Sequence, residues 1–263
     1  MTSTPLRRET PAEGVVLLTL DLPDRRNAMT AELTAAWAEA VTALAADRTV
    51  RCVVVTGAGR AFCAGGDLGW IAESPELAVT DLRDRMLPFY RSWLSVRDLD
   101  VPVLAAVNGA AIGAGLCLAL ACDVRYAGES ARFSAPFTGL GMHPGMAATW
   151  LLPEAVGLAT ARELLFTGRS VDALEAVSLG LVQRVFPDDR LLDEVLAVAG
   201  TVAARAPIAT RLTKAALARG GHPTIEDALA WEALAQPITM ATADLREGLR
   251  AQAERRPPRF TAA

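Results

Sequence analysis

The sequence has few of the side chains that bind metal ions. It contains two histidines, and its four cysteines lack the Cys-x-x-Cys spacing of zinc and dithiol sites. We therefore expect no metal site and no bound cofactor. The cysteines lie in apolar or glycine-rich stretches, and the first residues, MTSTPLRRETPAEG, lack the apolar run of a signal peptide. Reduced thiols and a cytoplasmic location are the expectation.

An excess of positive charge is also missing. The formal net charge is −4, and basic residues are scattered, so neither nucleic acid nor an anionic membrane surface is an expected partner. One stretch without formal charge, Val101–Cys122, is long enough to span a bilayer. Pro102, Asn108 and several glycines interrupt it. A buried core segment is predicted rather than a membrane span.

The common nucleotide-binding signatures are incomplete or absent. Gly57 and Gly59 follow a predicted strand, but Phe62 replaces the third glycine of the G-x-G-x-x-G pattern. The chain has no G-x-x-x-x-G-K-[ST] phosphate loop and no G-x-S-x-G nucleophile elbow. The sequence therefore predicts neither a dinucleotide site nor a serine-hydrolase site.

Strands and helices alternate in the first half of the chain. Apolar runs predict strands at Gly14–Leu20 and Cys52–Thr56, and Thr30 is placed to cap a long helix between them. This alternation predicts an α/β fold with a largely parallel sheet.

Further along, helices are expected to dominate. The stretch from Asp67 to about Trp93 is predicted to be mostly helical, with a break around Ser74–Pro75. Near the end of the chain, a helical pattern runs from Thr224 to about Gln252, with a break expected near Pro237.

The uncharged stretch contains a strand, a glycine-rich turn and a helix in close succession. VPVLAAV predicts a buried strand, and Gly113 and Gly115 come directly before the apolar run LCLALAC. The first amides of a helix have no acceptor inside the helix, so they can donate hydrogen bonds to an oxygen that is held there. An alternative is a helix that packs closely on a neighbour and binds nothing.

A second stretch, Cys52–Leu68, repeats this arrangement. A buried strand is followed by a loop of small residues and then by a short helix, in the sequence CVVVTGAGRAFCAGGDL. Two such loops could direct two backbone amides at one oxygen atom.

Together these motifs resemble those of the crotonase superfamily, the enoyl-CoA hydratases and isomerases. The two principal matches are Phe62 with AGGDL at Ala64–Leu68, and the segments Asn108–Gly115 and Cys122–Asp123. Further matches, in the family's order, are RRNAMT at Arg25–Thr30, FSAPFTGLGMHPG at Phe133–Gly145 and RRPPRF at Arg255–Phe260. The resemblance covers nearly the whole chain.

The resemblance implies a crotonase-like spiral of ββα units with a helical C-terminal region. We expect the spiral core to occupy residues 1–200, and residues 201–263 to form the trimerisation region. A homotrimer, or a hexamer made as a dimer of trimers, is the implied assembly.

The resemblance also implies an acyl-CoA thioester substrate. Position by position, the two amides that bind the thioester oxygen and stabilise its enolate fall on Ala64 and Ala114. Arg26 is implied to lie near the coenzyme phosphates. The remaining implied substrate-binding positions are Ala28, Gly65, Asp67, Leu68, Gly113, Cys117 and Phe137. For Asp67, a cap or turn role is the alternative to a catalytic carboxylate.

The sequence departs from the family at the residues that transfer protons. Cys117 and Phe137 replace the two glutamates of classical hydratases, and Gly145 stands where isomerase-type members often have an acid. Standard hydration is therefore expected to be weak. Other candidates for proton transfer are His143, Cys117 and the carboxylates of the segment from Asp67 to Asp84.

Alternatives remain for two of these candidates and for the function as a whole. A helix N-terminus could acidify the Cys117 thiol, or the thiol could pack as a small apolar group. His143 could be a general acid or base, or it could cap a turn or line the acyl tunnel. The chain could be a hydratase or isomerase, catalyse another enolate reaction such as decarboxylation, or bind acyl-CoA without turnover.

Overall fold

The computed structural model of the protein describes residues 4–67, 69, 72, 77–218 and 221–262. The strands are β1 (Leu6–Ala12), β2 (Val15–Leu20), β3 (Cys52–Gly57), β4 (Ala61–Cys63), β5 (Val103–Val107), β6 (Ala110–Ile112), β7 (Val124–Gly128), β8 (Arg132–Ser134), β9 (Val171–Asp172) and β10 (Arg184–Phe186). The helices are α1 (Ala31–Ala46), α2 (Val79–Leu94), α3 (Ala114–Ala121), α4 (Ala148–Val156), α5 (Leu158–Thr167), α6 (Ala173–Ser178), α7 (Leu191–Ala203), α8 (Pro207–Leu217), α9 (Ile225–Met240) and α10 (Ala243–Glu254). Short 3-10 helices lie at Pro23–Arg25, Ser95–Asp98 and Thr138–Leu140.

A six-stranded sheet forms one layer, in the order β1-β2-β3-β5-β7-β10. Only the β1–β2 pair is antiparallel within it, so the predicted parallel sheet is confirmed. All six residues of β2 and of β3 are buried. Strand β1 was not predicted, because Leu6 is its one buried residue and no apolar run marks it.

A smaller sheet, in the order β4-β6-β8-β9, places the two glycine-rich loops side by side. Strand β4 runs parallel to β6, with Ala61 opposite Ala110. The strands of this sheet have two or three residues, too few to show an alternating pattern, so the sequence did not indicate them. Because the strands are parallel and adjacent, the segments that follow both of them emerge at the same edge.

Helices α1 and α2 pack together through two tryptophans. The rings of Trp37 and Trp93 stack with centroids 5.0 Å apart, and both side chains are fully buried. The indole N–H of Trp93 donates to Thr34 Oγ1 at 3.0 Å. Helix α1 begins as predicted, since the Thr30 side chain accepts the Leu33 N–H at 3.1 Å.

The predicted break lies near Pro237 but not at it, since it falls between Met240 and Ala243. Pro237 lies inside α9, which continues to Met240, and the next helix begins after Thr242, whose side chain caps it. Helix α2 likewise contains Pro88. A proline removes one intrahelical hydrogen bond and can kink a helix without ending it. The expected break around Ser74–Pro75 lies outside the described residues.

The uncharged stretch Val101–Cys122 contains β5, β6 and α3 in a buried position. All eight residues of α3 are buried. Among the described helices, none combines the length and the apolar character that crossing a bilayer requires. The stretch is therefore a core segment, as predicted.

Candidate active site

A cavity of about 100 Å³ opens where β6 meets α3. Helix α2 covers one side of it, and the segment that follows β8 covers another. The described residues that line it are Ala64, Gly65, Gly66, Met86, Phe89, Tyr90, Ile112, Gly113, Ala114, Pro136, Phe137, Leu140, Met142, Gly145 and Met146. Most of these side chains are apolar, and both glycine-rich loops contribute backbone to the lining.

Glycine allows the two loops to come into backbone contact. Gly65 has φ +94, and a Cβ atom added to it would lie 2.6 Å from the Ile112 carbonyl oxygen and 3.3 Å from the Ala114 nitrogen. A side chain at Gly115 would collide with the Cys63 carbonyl oxygen. The predicted proximity of the two loops is thus present, and two glycines make it possible.

Two asparagine side chains, the buried Asn27 and the half-buried Asn108, hold the loop that precedes β4. The Asn27 side-chain amide donates to the carbonyl oxygens of Ala58 and Ala61 at 2.9 and 2.8 Å, and Asn27 Oδ1 accepts the Leu22 N–H at 2.9 Å. Asn108 Oδ1 accepts the Gly57 N–H at 3.1 Å. These anchoring roles were not predicted. The sequence indicated that Asn108 interrupts an apolar stretch, but it did not indicate which groups its side chain would bind.

Ala114 lies at the junction of the glycine-rich turn and the helix that follows it. It is the first residue of α3 and lines the cavity, and Gly113, at φ +56, provides no side-chain cap. The first N–H groups of a helix have no acceptor within the helix. The Ala114 amide can therefore donate to a ligand atom in the cavity.

The role expected for the Ala64 amide does not fit the structure. Its N–H already donates to the Arg26 carbonyl oxygen at 3.0 Å. The same loop brings Gly66 to the cavity, beside Gly65, whose carbonyl oxygen accepts the Met29 N–H at 2.8 Å. Among the described residues, no acceptor is found for the Gly66 N–H. Gly66 therefore replaces Ala64 as the amide available from this loop.

The residues implied to bind the coenzyme lie beside this loop. Arg26 is exposed and adopts a left-handed conformation at φ 51, and Ala28 is half-buried. Asp67 accepts a hydrogen bond from Arg25 Nη2 at 2.9 Å and one from the Gly69 N–H at 3.1 Å. Those contacts match the turn role of Asp67 rather than a catalytic one. Leu68 lies outside the described residues.

The Cys117 thiol is buried, and burial raises its pKa to about 12. Its Sγ lies 3.7 Å from the Gly145 carbonyl oxygen. The hypothesis that the helix N-terminus acidifies this thiol is therefore wrong, because the cost of burying a thiolate exceeds any stabilisation by the helix. Cys117 packs as a small apolar group.

No other candidate position brings an acidic group into the described part of the cavity lining. Phe137 is 9% exposed and lines the cavity, with its ring 3.7 Å from where a Cβ atom on Gly113 would lie. Gly145 borders the cavity. Asp81 and Asp84 are exposed on α2 and do not line it.

His143 does not line the cavity. It is exposed, and its Nδ1 lies 2.8 Å from the Pro144 carbonyl oxygen. With the proton on Nδ1, the ring donates to that carbonyl, which is the turn-capping alternative. The expectation that His143 acts as the general acid or base is not supported, since the ring reaches only the backbone of its own turn.

Helix α2 supplies cavity residues that the sequence reasoning missed. Met86, Phe89 and Tyr90 line the cavity. The sequence indicated a helix here, but its rotation about its own axis depends on packing against α1 and could not be predicted. Among the described residues, no three His, Cys, Asp or Glu side chains are grouped as metal ligands would be.

Comparison with known proteins agrees with this architecture. Residues 10–263 match the family model described as enoyl-CoA hydratase/isomerase. The chain is 40% identical over 246 residues to a putative enoyl-CoA hydratase from Thermus thermophilus, covering 94% of this chain and 97% of the relative. It is 38% identical to 2,3-dehydroadipyl-CoA hydratase from Escherichia coli, covering 94% and 95%. The crystal structure of an enoyl-CoA hydratase from Bacillus anthracis superposes with a TM-score of 0.93 at 33% identity, covering 98% of this chain and 100% of that one. The chain therefore belongs to the enoyl-CoA hydratase/isomerase family of enzymes and has the crotonase fold.

Proposed function

We propose that the protein acts on an acyl-CoA thioester and stabilises its enolate with the backbone amides of Gly66 and Ala114. The observation that carries this proposal is the position of Ala114, which begins α3 and borders the cavity next to the Gly65–Gly66 loop. Among the described residues, its N–H has no acceptor. Amides fixed in this way gain strength as negative charge develops on the thioester oxygen. Each can contribute roughly 2.7–4 kcal/mol to the transition state.

The cavity chemistry favours an apolar acyl chain. Met86, Ile112, Leu140 and Met146 supply hydrophobic lining, and a charged acyl terminus would find no partner among the described lining residues. In this proposal the exposed Arg26, whose carbonyl oxygen accepts the Ala64 N–H, binds a phosphate of the coenzyme.

The reaction belongs to the enolate chemistry of the family, with hydration as a slow activity. No carboxylate lines the described part of the cavity, and a positioned acid or base typically contributes about 10²–10⁴-fold to a rate. Isomerisation or decarboxylation places a smaller demand on groups that activate water. To distinguish these reactions, the rate of crotonyl-CoA hydration is compared with the rates at which the protein converts a panel of other acyl-CoA thioesters.

We also propose that the chain assembles as a homotrimer or as a hexamer of two trimers. Each of the 16 residues of α9 is at least partly exposed. Leu229, Leu234 and Met240 are 56%, 62% and 59% exposed. A helix that buries no residue in its own chain, yet carries these side chains, is suited to packing against a second copy.

The test is calorimetric binding of acyl-CoA thioesters with chains of two to eight carbons. Wild-type protein should bind at least one of them saturably. Ala114→Pro removes the proposed donor, and proline is well tolerated at the first position of a helix, so the variant should fold with an unchanged circular dichroism spectrum and bind more weakly. A folded wild-type protein that binds none of the panel would contradict the proposal.

A further inference from the structure

Among the described residues that line the cavity, Tyr90 alone has a side chain that can ionise. The hydroxyl belongs to a half-buried residue near the end of α2, one position after Phe89, whose ring centroid lies 6.0 Å from its own. Among the described lining residues, Tyr90 therefore supplies the one proton-bearing side chain, although the family's usual acidic positions are occupied by Cys117, Phe137 and Gly145.

The location of this hydroxyl relates it to one of those positions. A Cβ atom added to Gly145 would lie 2.5 Å from Tyr90 Oη. Tyr90 Oη thus occupies the space into which a side chain at position 145 would project. Among the described residues, the structure assigns Oη no hydrogen-bond partner, so the hydroxyl can bond to a substrate.

We propose that Tyr90 is the catalytic acid that protonates the enolate carbon, in place of the missing carboxylates. This inference rests on the proposed function of the same cavity. In the step, the enolate carbon uses its electron pair to form a C–H bond while the Tyr90 O–H bond breaks. The thioester C=O re-forms at the Gly66 and Ala114 amides, and water then reprotonates the phenolate. In the reverse direction, the phenolate removes the same proton.

The surroundings of Tyr90 suit a proton donor. Burial raises the pKa of Tyr90 above its ordinary value, and any negative charge on the nearby Cys117 would raise it further. The hydroxyl is therefore protonated at neutral pH and available to donate. For the reverse step, the phenolate fraction grows about tenfold per pH unit below that pKa, so proton removal should accelerate as the pH rises.

The chain offers a matched control for testing this role. Tyr126 is the second of its two tyrosines. It is buried on β7 and packs against Phe186, with ring centroids 5.9 Å apart. Tyr90→Phe and Tyr126→Phe each remove one hydroxyl and keep the ring. Only the first change alters the cavity.

The experiment measures deuterium incorporation next to the thioester of butyryl-CoA in D₂O between pH 7 and 9, by mass spectrometry. Binding of the same thioester is measured by calorimetry. Wild type and Tyr126→Phe should exchange at rates that rise with pH. Tyr90→Phe should exchange about 10²–10⁴-fold more slowly and lose the pH dependence, while its Kd stays within a few-fold of wild type.

The possible failures can be told apart. Wild-type exchange rates in Tyr90→Phe would overturn the role of Tyr90 and leave the proposed function intact. Equal losses of binding and exchange would indicate a structural role and overturn it as well. Wild-type protein that binds butyryl-CoA without exchange would also contradict the inference, and a failure to bind any acyl-CoA would overturn both proposals.

Discussion

Gly115 faces the carbonyl oxygen of Cys63 so closely that no side chain fits between them. This contact fixes the first turn of α3 against the end of β4 and sets the distance between the two loops of the site. Gly115→Ala should therefore separate the loops and lower the free energy of unfolding by about 1–3 kcal/mol, the usual cost of overpacking. Denaturant unfolding measures this change.

The matched control for that substitution is Gly200→Ala. Gly200 lies within α7, and a Cβ atom added there meets nothing within 4 Å. Alanine at an unobstructed helical position should stabilise by roughly 0.5–1 kcal/mol. Equal effects of the two substitutions would show that the Gly115 contact does not constrain the site.

The four cysteines make stability depend on pH in the alkaline range. Burial raises the pKa of Cys52, Cys63, Cys117 and Cys122 to about 12, whereas an unfolded thiol ionises near about 8.5. Because the native pKa is the higher one, this contribution to stability is complete below the unfolded pKa and is lost as the pH rises towards the native pKa. The free energy of unfolding should fall between pH 8 and pH 10.

The upper limit of that fall is about 1.4 kcal/mol per pH unit for each thiol. Melting curves of wild type and Cys117→Ala across this range check it, since the variant has one thiol fewer and should show a shallower decline. Native protein should also react slowly with a thiol reagent at pH 8. Rapid labelling of a cysteine in the folded state would contradict the burial of all four.

His143→Gln should leave turnover and its pH profile unchanged. The imidazole is exposed and contacts the Pro144 carbonyl oxygen instead of the cavity. The comparison uses the best substrate found in the acyl-CoA panel, between pH 5 and pH 8. If the variant's pH–rate profile loses the change in rate near pH 6–7 that wild type shows, His143 takes part in proton transfer after all.

The exposed face of α9 should be buried in the oligomer. Light scattering at micromolar concentrations is expected to report a trimer or a hexamer. Leu234→Glu places a charge on this face, where the leucine is 62% exposed in the single chain, and should shift the protein towards monomer while α-helical content is retained. A wild-type monomer throughout this range would contradict the proposed assembly.

The sequence predicted the large-scale arrangement because the strongest signals are local. The apolar runs of β2, β3 and β5 and the glycines at the start of α3 indicate a parallel sheet with two loops at one edge. Whether Ala64 or Gly66 offers its amide to a ligand depends on which of the two N–H groups is already hydrogen-bonded. The Ala64 N–H donates to the Arg26 carbonyl oxygen. Such a contact between distant segments has no signature in local sequence.

The cavity face of α2 was beyond prediction for a similar reason. Tyr90 reaches the cavity because α2 is rotated by its packing against α1, in which the Trp37–Trp93 stack takes part. His143 shows the opposite case. Its residue type and its position near the site suggested proton transfer, but the turn directs its ring to the Pro144 carbonyl.

The carbonyl stretching frequency of a bound acyl-CoA shows whether the two backbone amides bind the thioester oxygen. Difference infrared spectra with a ¹³C-labelled thioester carbonyl isolate that vibration. Hydrogen bonds from the Gly66 and Ala114 amides should polarise the carbonyl and lower its frequency on binding, with a smaller shift in Ala114→Pro. A bound thioester whose carbonyl frequency equals its value in water, or shifts equally in wild type and variant, would contradict the account.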